Sequence, residues 1–492
     1  MSIRTKARVE YVARIARVLG LAATVWVKPL AAQDRTPVAE TAPTSSSGPA
    51  SPGTGCPGRP PLPGDVRCVA SGEREGDPQP LLWIPRALLA GPRILFMAAL
   101  QPILLGVGLE EEYQISRRVN DVFWNDAHTF GVFPTGLLET SLTPKLGGRL
   151  VHRDLFGRGE QLRARAAYGS VYDQVYEASL DSGSRIKGGQ LQLGGGYRRL
   201  DGQRFFGLGS GDPVPPDSLS LPLDPGADGP TVETRYRTAT AYSWLSARAP
   251  MTASLSLGVT HNWRLLRLED STSGSDVPNV TEVFERGGLV GFGEDLIDAY
   301  TQLDLRWDGR RQTRVDRPRA VPSGGLRLDV WAGVQKILRP RRAVISRFGV
   351  DLRPTFNLFR GNRTLRLRLR GVYVSGDIRN VPVTDLAHLG GPHLLRGYHR
   401  KRAQGRLTWL TSAEYHYPVQ EGIDAYLFTD VGRAYAGFVA LSFEHMRVGF
   451  GAGIEIFTIK QYLVRLQLAS SIDGGLFFHV RFNSSDAFET TQ

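Results

Sequence analysis

Two absences narrow the class of this 492-residue chain: it has almost no cysteine and no long uncharged apolar run. Only Cys56 and Cys68 occur, and their wide spacing without nearby histidines argues against a zinc site. They are either an incidental pair or a disulfide formed outside the cytosol. A helical membrane protein would need apolar stretches of about 18 or more residues. With 41% hydrophobic and 22% charged residues, the chain is also not disordered overall.

Sequence signals for nucleic acid, nucleotide, metal or catalysis are missing as well. The net charge is +12, but the arginines are scattered and alternate with apolar residues, whereas nucleic-acid binding gathers charge into a patch. "RFFGLGSGDP" (204–213) contains three glycines, but no Gly-Lys-Ser/Thr follows. His393 and His399 share a loop that has no carboxylate cluster. We therefore predict no catalytic residue, no cofactor, no metal and no nucleic-acid partner, and do not expect an enzyme.

The first 118 residues are predicted to lie outside the main domain. Residues 1–32 combine a basic start, an apolar stretch and small residues for cleavage, which is typical of an export signal; a retained basic amphipathic helix is the alternative. Residues 33–80 are rich in Pro, Gly, Ser and Thr and are predicted to be disordered. Residues 81–112 are apolar, but Arg86, Arg93 and three prolines oppose a spanning helix. We predict short amphipathic helices over 81–118, at an interface or a barrel rim, with a soluble core helix as the alternative.

From about residue 127 the hydrophobic period is two. In "TLRLRLRGVYV" (364–374) three leucines alternate with three arginines, and "HMRVGFGAGIEIF" (445–457) has one wholly apolar face. A soluble sandwich alternates in the same way, so strand length must decide. Soluble strands have about 5–6 residues, whereas tilted membrane strands need about 9–11. Most segments here reach the longer figure, which favours a membrane barrel.

The alternation predicts sixteen strands, an even number, as single-chain bacterial outer-membrane barrels require. The predicted fold is an all-β, 16-stranded antiparallel transmembrane β-barrel over 127–482, preceded by the short helical segment and followed by a tail at 483–492. The long connections 200–230, 269–294 and 377–404 follow the fifth, seventh and eleventh strands, and should be extracellular. The predicted segments are 129–141, 144–153, 161–173, 174–182, 188–199, 231–248, 252–268, 295–307, 324–337, 341–356, 363–376, 405–417, 422–430, 444–457, 461–471 and 474–482.

Four motifs in the last 190 or so residues then resemble one family. "LGGPHLLRGY" (389–398) looks like the loop-six signature of the Omp85 superfamily, also called the surface antigen D15 or BamA/TamA family, with its Arg-Gly-aromatic triplet. "LFTDVGRAY" (427–435) resembles the Phe-x-Asp-x-Gly strand motif. "RWDGRRQTRVDRPRAVPSGG" (306–325) and "RLQLASSIDGGLFFHVRF" (465–482) are similar to the family's Asp-x-Arg…Pro-x-Gly segment and closing hairpin.

The resemblance implies that loop six folds back into the lumen and that Arg396 meets Asp430. A guanidinium in a confined lumen needs a bidentate acceptor, glycine permits close approach or positive φ, and tyrosine supplies a stacking face. An exposed basic turn is the alternative. The implied structural latch consists of Arg396, Gly397, Tyr398, Phe428, Asp430 and Gly432, with Gly390 and Gly391 as the loop-six glycines.

The C-terminal strand resembles the signal that barrel-assembly machinery recognises. Leu476, Phe478, Val480 and Phe482 would face lipid, while Phe477, His479 and Arg481 would face inward. Such a signal usually ends on an aromatic residue. Phe478, Phe482 or Phe488 could supply it, and the sequence leaves the choice open.

The resemblance also sets the functional expectation. We find no POTRA-like module between the predicted cleavage site and the first strand, so we expect a POTRA-less outer-membrane barrel. Its expected role is insertion or transport of outer-membrane proteins or lipid through a seam between the first and last strands. The expected partners are outer-membrane lipid, unfolded barrel clients and the assembly machinery, and the barrel is expected to be a monomer. The alternative is an anion-preferring pore lined by arginine, or a structural surface antigen.

Overall fold

A computed structural model describes residues 123–137, 145–170, 173–209, 211, 232–272, 274, 276–284, 289–311, 324–358, 363–376, 380–420, 422–457 and 462–482. The predicted signal peptide (1–32), leader (33–80), helical segment (81–118) and tail (483–492) lie outside these residues. The same holds for Cys56, Cys68 and Phe488. No helix in the described part of the chain is long and apolar enough to span a bilayer.

The prediction of a sixteen-stranded antiparallel sheet is confirmed, because each predicted segment overlaps one strand of a single sheet, although strands such as β5 and β15 extend past the predicted ends. We call these sixteen strands the wall. They are β1 Phe130–Leu137, β2 Lys145–Arg153, β3 Gln161–Ser170, β4 Asp173–Asp181, β5 Gln190–Phe205, β6 Thr234–Pro250, β7 Leu255–Asp270, β8 Asp295–Asp308, β9 Gly325–Arg339, β10 Ala343–Leu358, β11 Arg363–Ser375, β14 Leu407–Gln420, β15 Ile423–Tyr435, β16 Arg447–Phe457, β17 Tyr462–Ser471 and β18 Leu476–Phe482.

The remaining described elements are short. Inside loop six (376–406), β12 Ala387–Leu389 pairs with β13 Ala403–Gly405, a hairpin that the sequence pattern did not predict. One helix, α1 Val280–Val283, lies in the loop between β7 and β8. Three single-turn 3₁₀ helices occur at Gly183–Arg185, Val383–Asp385 and Phe438–Ala440. Loop six is therefore structured and held by its own backbone bonds.

The two faces of the wall follow the alternation of the sequence. In β18, Leu476 and Phe478 are exposed while Phe477 and His479 are buried. The sheet also curls, because His399 of loop six touches strands that are far apart in the sheet order. Arg204 Nη1 on β5 donates to His399 Nε2 at 3.0 Å, and the His399 and Phe477 ring centroids, the latter on β18, are 4.9 Å apart. The wall therefore wraps around loop six, as in a barrel.

At the end of the wall where loop six begins, which we call the loop-six end, inward positions change from charged to apolar. Strand residues there pack against the loops after β7 and β11 to form an apolar cluster that fills this end of the lumen. Burying side chains of this size stabilises by about 1.5–3 kcal/mol each. The cluster, called the apolar plug, includes Tyr236, Leu266, Leu268, Leu296, Ile337, Ile345 and Val374 from the wall and Val280, Phe284, Leu289, Val381, Val383, Leu386 and Ala387 from the loops.

Candidate functional site

The centre of the site is an arginine of loop six that lies against an aspartate of β15. Arg396 Nε donates to Asp430 Oδ2 at 2.7 Å, and its Nη2 donates to Oδ1 at 2.6 Å. The Arg396 backbone N–H also donates to Oδ2, at 2.8 Å. The guanidinium carbon lies 3.7 Å from the Phe428 ring centroid, and Nη1 donates to Glu414 on β14. The pair thus has the bidentate geometry that a buried guanidinium needs, with a cation–π contact in addition.

Two glycines allow the backbone of loop six to touch the backbone of the wall. Gly397 has φ +87°, and a Cβ placed there would lie 2.0 Å from the Ser470 carbonyl oxygen of β17. A Cβ on Gly449 of β16 would lie 1.7 Å from the Arg396 carbonyl oxygen. Since any other residue would push these backbones apart, both positions require glycine.

Tyr398 faces the same contact from the loop side. Its hydroxyl donates to the Val448 carbonyl of β16 at 3.3 Å, and its ring belongs to a buried cluster with Leu389, Leu395 and Leu410. Burial, followed by the nearby Asp473, raises the pKa of Tyr398 to about 12. The stacking face under the guanidinium comes instead from Phe428.

The other predicted residues of this site determine the shape of loop six and of the wall surface against which it packs. Gly390 and Gly391 have φ values of +109° and +100°. Their N–H groups donate to the carbonyls of Leu394 at 2.6 Å and Tyr398 at 3.1 Å, which closes the tight turn before the triplet. On β15, a Cβ at Gly432 would lie 2.9 Å from Leu389 Cδ1, so this glycine makes room for the loop-six hairpin. The structure therefore brings all eight of these residues into one contact region.

A second anchor, which sequence reasoning missed, holds the beginning of loop six. Asp385 accepts hydrogen bonds from Arg264 Nη1 at 2.8 Å, Arg264 Nη2 at 2.6 Å and Gln335 Nε2 at 2.8 Å. Arg347 Nη2 donates to the Asp385 carbonyl at 2.6 Å. Burial opposes ionisation, but the Arg264 and Arg347 guanidiniums hold the pKa of Asp385 below its ordinary value. Loop six is therefore fastened to β7, β9 and β10 on one side of the lumen and to β14–β17 on the other.

Beneath the latch, Glu414 joins Arg396 to a second set of charges. It accepts from Arg465 Nη2 on β17 at 2.8 Å, and its Oε2 lies 2.9 Å from His416 Nε2. Arg465 Nη1 is also 3.3 Å from Glu455 Oε1 on β16. Removing Arg396 would thus leave two carboxylates, on Asp430 and Glu414, short of a cation.

Seven further inward arginines of the wall face carboxylates, whereas Arg149 on β2 has other arginines as its charged neighbours. One aspartate or glutamate serves two or three guanidiniums in each group, so much of the positive charge of the lumen is compensated internally. The groups are Glu177 with Arg165 and Arg198, Asp329 with Arg306 and Arg327, and Asp351 with Arg353, Arg368 and Arg370.

We expect Asp385→Asn to loosen the beginning of loop six. The amide keeps the size but loses the charge that Arg264 and Arg347 face, at a cost of about 1–3 kcal/mol. Because the pKa of Asp385 is depressed, this stabilisation is complete above about pH 4, the ordinary value, and is lost as the pH falls from there through the folded pKa. Hydrogen exchange of the loop-six amides at pH 7 should therefore accelerate in the variant. Asp276→Asn, in another loop, is the control, and equal exchange in the two variants would contradict the role of Asp385.

The C-terminal candidates lie apart from this site. Phe478 is exposed on the outward face of β18. Phe482 pairs with Val464 in the last ladder, and Phe488 lies beyond the described residues. The choice of signal aromatic therefore stays a prediction.

Comparison with known proteins gives the family. The Omp85 superfamily domain model matches residues 154–472, which include loop six and every latch residue. The chain belongs to the Omp85 superfamily. Among solved structures, the Omp85 barrel resembles BamA from Haemophilus ducreyi lacking POTRA domains 1–3, with a TM-score of 0.50, 12% identity, and coverage of 72% of this chain and 70% of that one.

Two further solved structures are similar: CdiB from Acinetobacter baumannii and CdiB from Escherichia coli. Their TM-scores are 0.44 and 0.45 and their identities 12% and 9%. The match covers 72% of this chain in both cases, and 60% and 62% of the CdiB chains, which is less than two thirds of their length. The search of curated proteins returned no match. Membership of the Omp85 superfamily implies an outer-membrane location.

Proposed function

We propose that this Omp85 barrel acts in the bacterial outer membrane in the insertion or transport of outer-membrane proteins or lipid, along the seam between β1 and β18. The observation that carries the proposal is the occupied lumen. Loop six crosses it between the Asp385 and Arg396 anchors, and the apolar plug fills the loop-six end. A polypeptide or lipid would have to displace both to pass through the centre, whereas the seam between β1 and β18 borders the bilayer directly.

The first strand of the wall, which borders the seam, also supports a weak closure. Pro134 lies within β1 and has no N–H to donate, and proline in sheets is confined mainly to edge strands. This proline therefore favours an edge position for β1, at which a client strand could pair with it.

An anion-preferring pore is less well supported. Such a pore needs guanidiniums that are available to passing ions, and the carboxylates of Glu177, Asp329 and Asp351 already engage the inward arginines around them. We therefore expect the refolded barrel to carry only a low, flickering current in planar bilayers. A large, steady, anion-selective current that survives deletion of 385–404 would favour the pore.

Site-specific photocrosslinking tests the seam. Val132 on β1 and Phe478 on β18 both point outward and are exposed, so a crosslinker at either position would meet a client strand. Leu303 is equally exposed on β8, across the wall, and is the matched control. We expect adducts with newly made barrel proteins from positions 132 and 478 but not from 303. Equal labelling at all three positions, or none at any, would contradict a seam-based role.

A further inference from the structure

Loop seven, residues 436–446 between β15 and β16, lies against the outward face of the wall. The ring centroids of Phe438 and Tyr373, the latter on β11, are 4.6 Å apart, and those of Phe443 and Trp409, the latter on β14, are 5.7 Å apart. Tyr373 and Trp409 occupy outward positions of the β11–β14 ladder, alternating with inward ones. The loop therefore folds back over the side of the barrel instead of extending from its end.

The loop covers outward-facing side chains that a bare wall would expose. Leu407, Arg433 and Tyr435 lie on the outward face of β14 and β15, and yet all three are buried. Arg433 Nη1 donates to the Ser442 hydroxyl and to the Glu444 carbonyl, and the Tyr435 hydroxyl donates to the Ser442 carbonyl at 2.8 Å. The polar groups on the wall-facing side are thus bonded within the protein, as an apolar surrounding would require.

Loop seven also presents uncovered apolar surface, while its exposed polar residues Glu444 and His445 lie at the end next to β16. Val439 is fully exposed and Phe443 is 78% exposed, and the exposed set is Phe438, Val439, Leu441 and Phe443. A contiguous exposed apolar patch marks an interaction surface. This patch adjoins the outward-facing Tyr373 and Trp409, and aromatic residues of this kind are enriched where a membrane meets water.

We propose that loop seven is an interfacial anchor whose apolar side enters the acyl chains of the outer leaflet. Lipid is the occupant because the patch continues the lipid-facing wall while the bonded polar groups of the loop face the protein. The inference rests on the proposed outer-membrane location, but it requires no insertion or transport activity. The anchor fixes the depth of the β11–β16 side of the barrel in the bilayer. If that side moved toward the water, the four apolar residues would be withdrawn from lipid.

Fluorescence of a probe on Val439 tests this proposal. Val439→Cys is made in a Cys56→Ser, Cys68→Ser chain, labelled with NBD and placed in phosphatidylcholine nanodiscs, which leave both membrane faces open to solutes. Glu294→Cys, at an exposed polar position in the loop between β7 and β8, is the water-facing control. Leu369→Cys, outward on β11, is the lipid-facing control. Heat-modifiable gel mobility verifies that each variant is folded.

We expect the Val439 probe to resemble the Leu369 probe. Iodide should quench it about threefold less than the Glu294 probe, and lipid carrying a doxyl group at carbon 5 should quench it at least about twofold more, as for a segment at the headgroup–acyl boundary. Strong iodide quenching with no doxyl effect would overturn the proposal. So would protection from iodide without doxyl quenching, because that result indicates a protein surface, such as a second copy of the chain, over the patch.

Arg433→Ala provides an independent arm, because it removes the bonds to Ser442 and Glu444 while leaving the apolar patch unchanged. The Val439 probe should then become more accessible to iodide and less sensitive to the doxyl lipid. An unchanged probe would show that these bonds do not orient the loop. Neither measurement involves a client protein, so failure of the seam crosslinking would leave this inference standing, and the reverse also holds.

Discussion

Arg396→Ala is expected to destabilise the barrel by about 3–5 kcal/mol, the range for removing one partner of a buried ion pair. Asp430 would keep a buried negative charge without the guanidinium that now bonds to it, and Glu414 would lose one of its two arginine partners and keep Arg465. The substitution removes the bidentate bonds to Asp430 and the contact with Phe428 together, and leaves the backbone N–H bond to Asp430 in place. The measurement is the urea midpoint of the detergent-solubilised protein, followed by heat-modifiable gel mobility.

Arg406→Ala is the matched control, because Arg406 lies at the end of the same loop and, among the described residues, bonds to the neutral oxygens of Val374 and Tyr373. Its loss should cost about 0.5–1.5 kcal/mol. Arg396→Lys should fall between the two, since lysine keeps the charge but loses the planar two-pronged donor. Equal midpoints for the Arg396→Ala and Arg406→Ala variants would exclude a latch role for Arg396.

Gly449→Ala is expected to force loop six away from β16 without removing any polar group. The new Cβ would lie 1.7 Å from the Arg396 carbonyl oxygen, so either the loop or the strand must shift. Overpacking of this kind costs about 1–3 kcal/mol, which raises the population of open loop by about fivefold to 150-fold. Trypsin cleavage after Arg400, Lys401 or Arg402, in membranes that hold the folded barrel, should accelerate by that factor.

The control for this second substitution is Gly274→Ala. Nothing lies within 4 Å of a Cβ placed at Gly274, in the loop between β7 and β8. Its alanine variant should therefore be cleaved in loop six at the wild-type rate. A Gly449→Ala barrel that is also cleaved at the wild-type rate would mean that loop six and β16 are not in close contact.

The wall was predictable from sequence because lipid imposes a simple rule on it. Each backbone group must pair within the sheet, and outward side chains must be mainly apolar, so the alternation persists over long segments such as β11 and β16. The latch residues were recognised from motif resemblance, with Arg396 and Asp430 standing 34 residues apart. Arg264 and Asp385 lie 121 residues apart, and no local motif connects them. From the sequence, an inward-facing arginine predicts only that some carboxylate lies near it, and not which carboxylate.

Other features depended on how loops fold, which alternation does not encode. The apolar plug includes inward-facing residues such as Leu268 and Ile345. The sequence alternation predicts charged or polar residues at inward positions, and these apolar exceptions lie near the loop-six end. Loop seven resembles an ordinary extracellular connection in sequence. Its placement follows from the bonds between Arg433 and the carbonyl and hydroxyl groups of residues 442–444, and these depend on the curvature of the wall.

The two anchors of loop six divide the barrel into parts with different freedom to move. Loop six connects β7–β10 to β14–β17 across the lumen and so holds these two groups of strands at a fixed separation. β1–β4 are joined to these strands through the β4–β5 ladder. An outward rotation of β1–β4 as one rigid unit would leave the hydrogen bonds of Asp385 and Arg396 intact. The hinge would have to release the contacts of Glu177 on β4 with Arg198 and Tyr242 on β5 and β6. We therefore expect that β1 could be exposed to a client strand while loop six stays bound at both anchors.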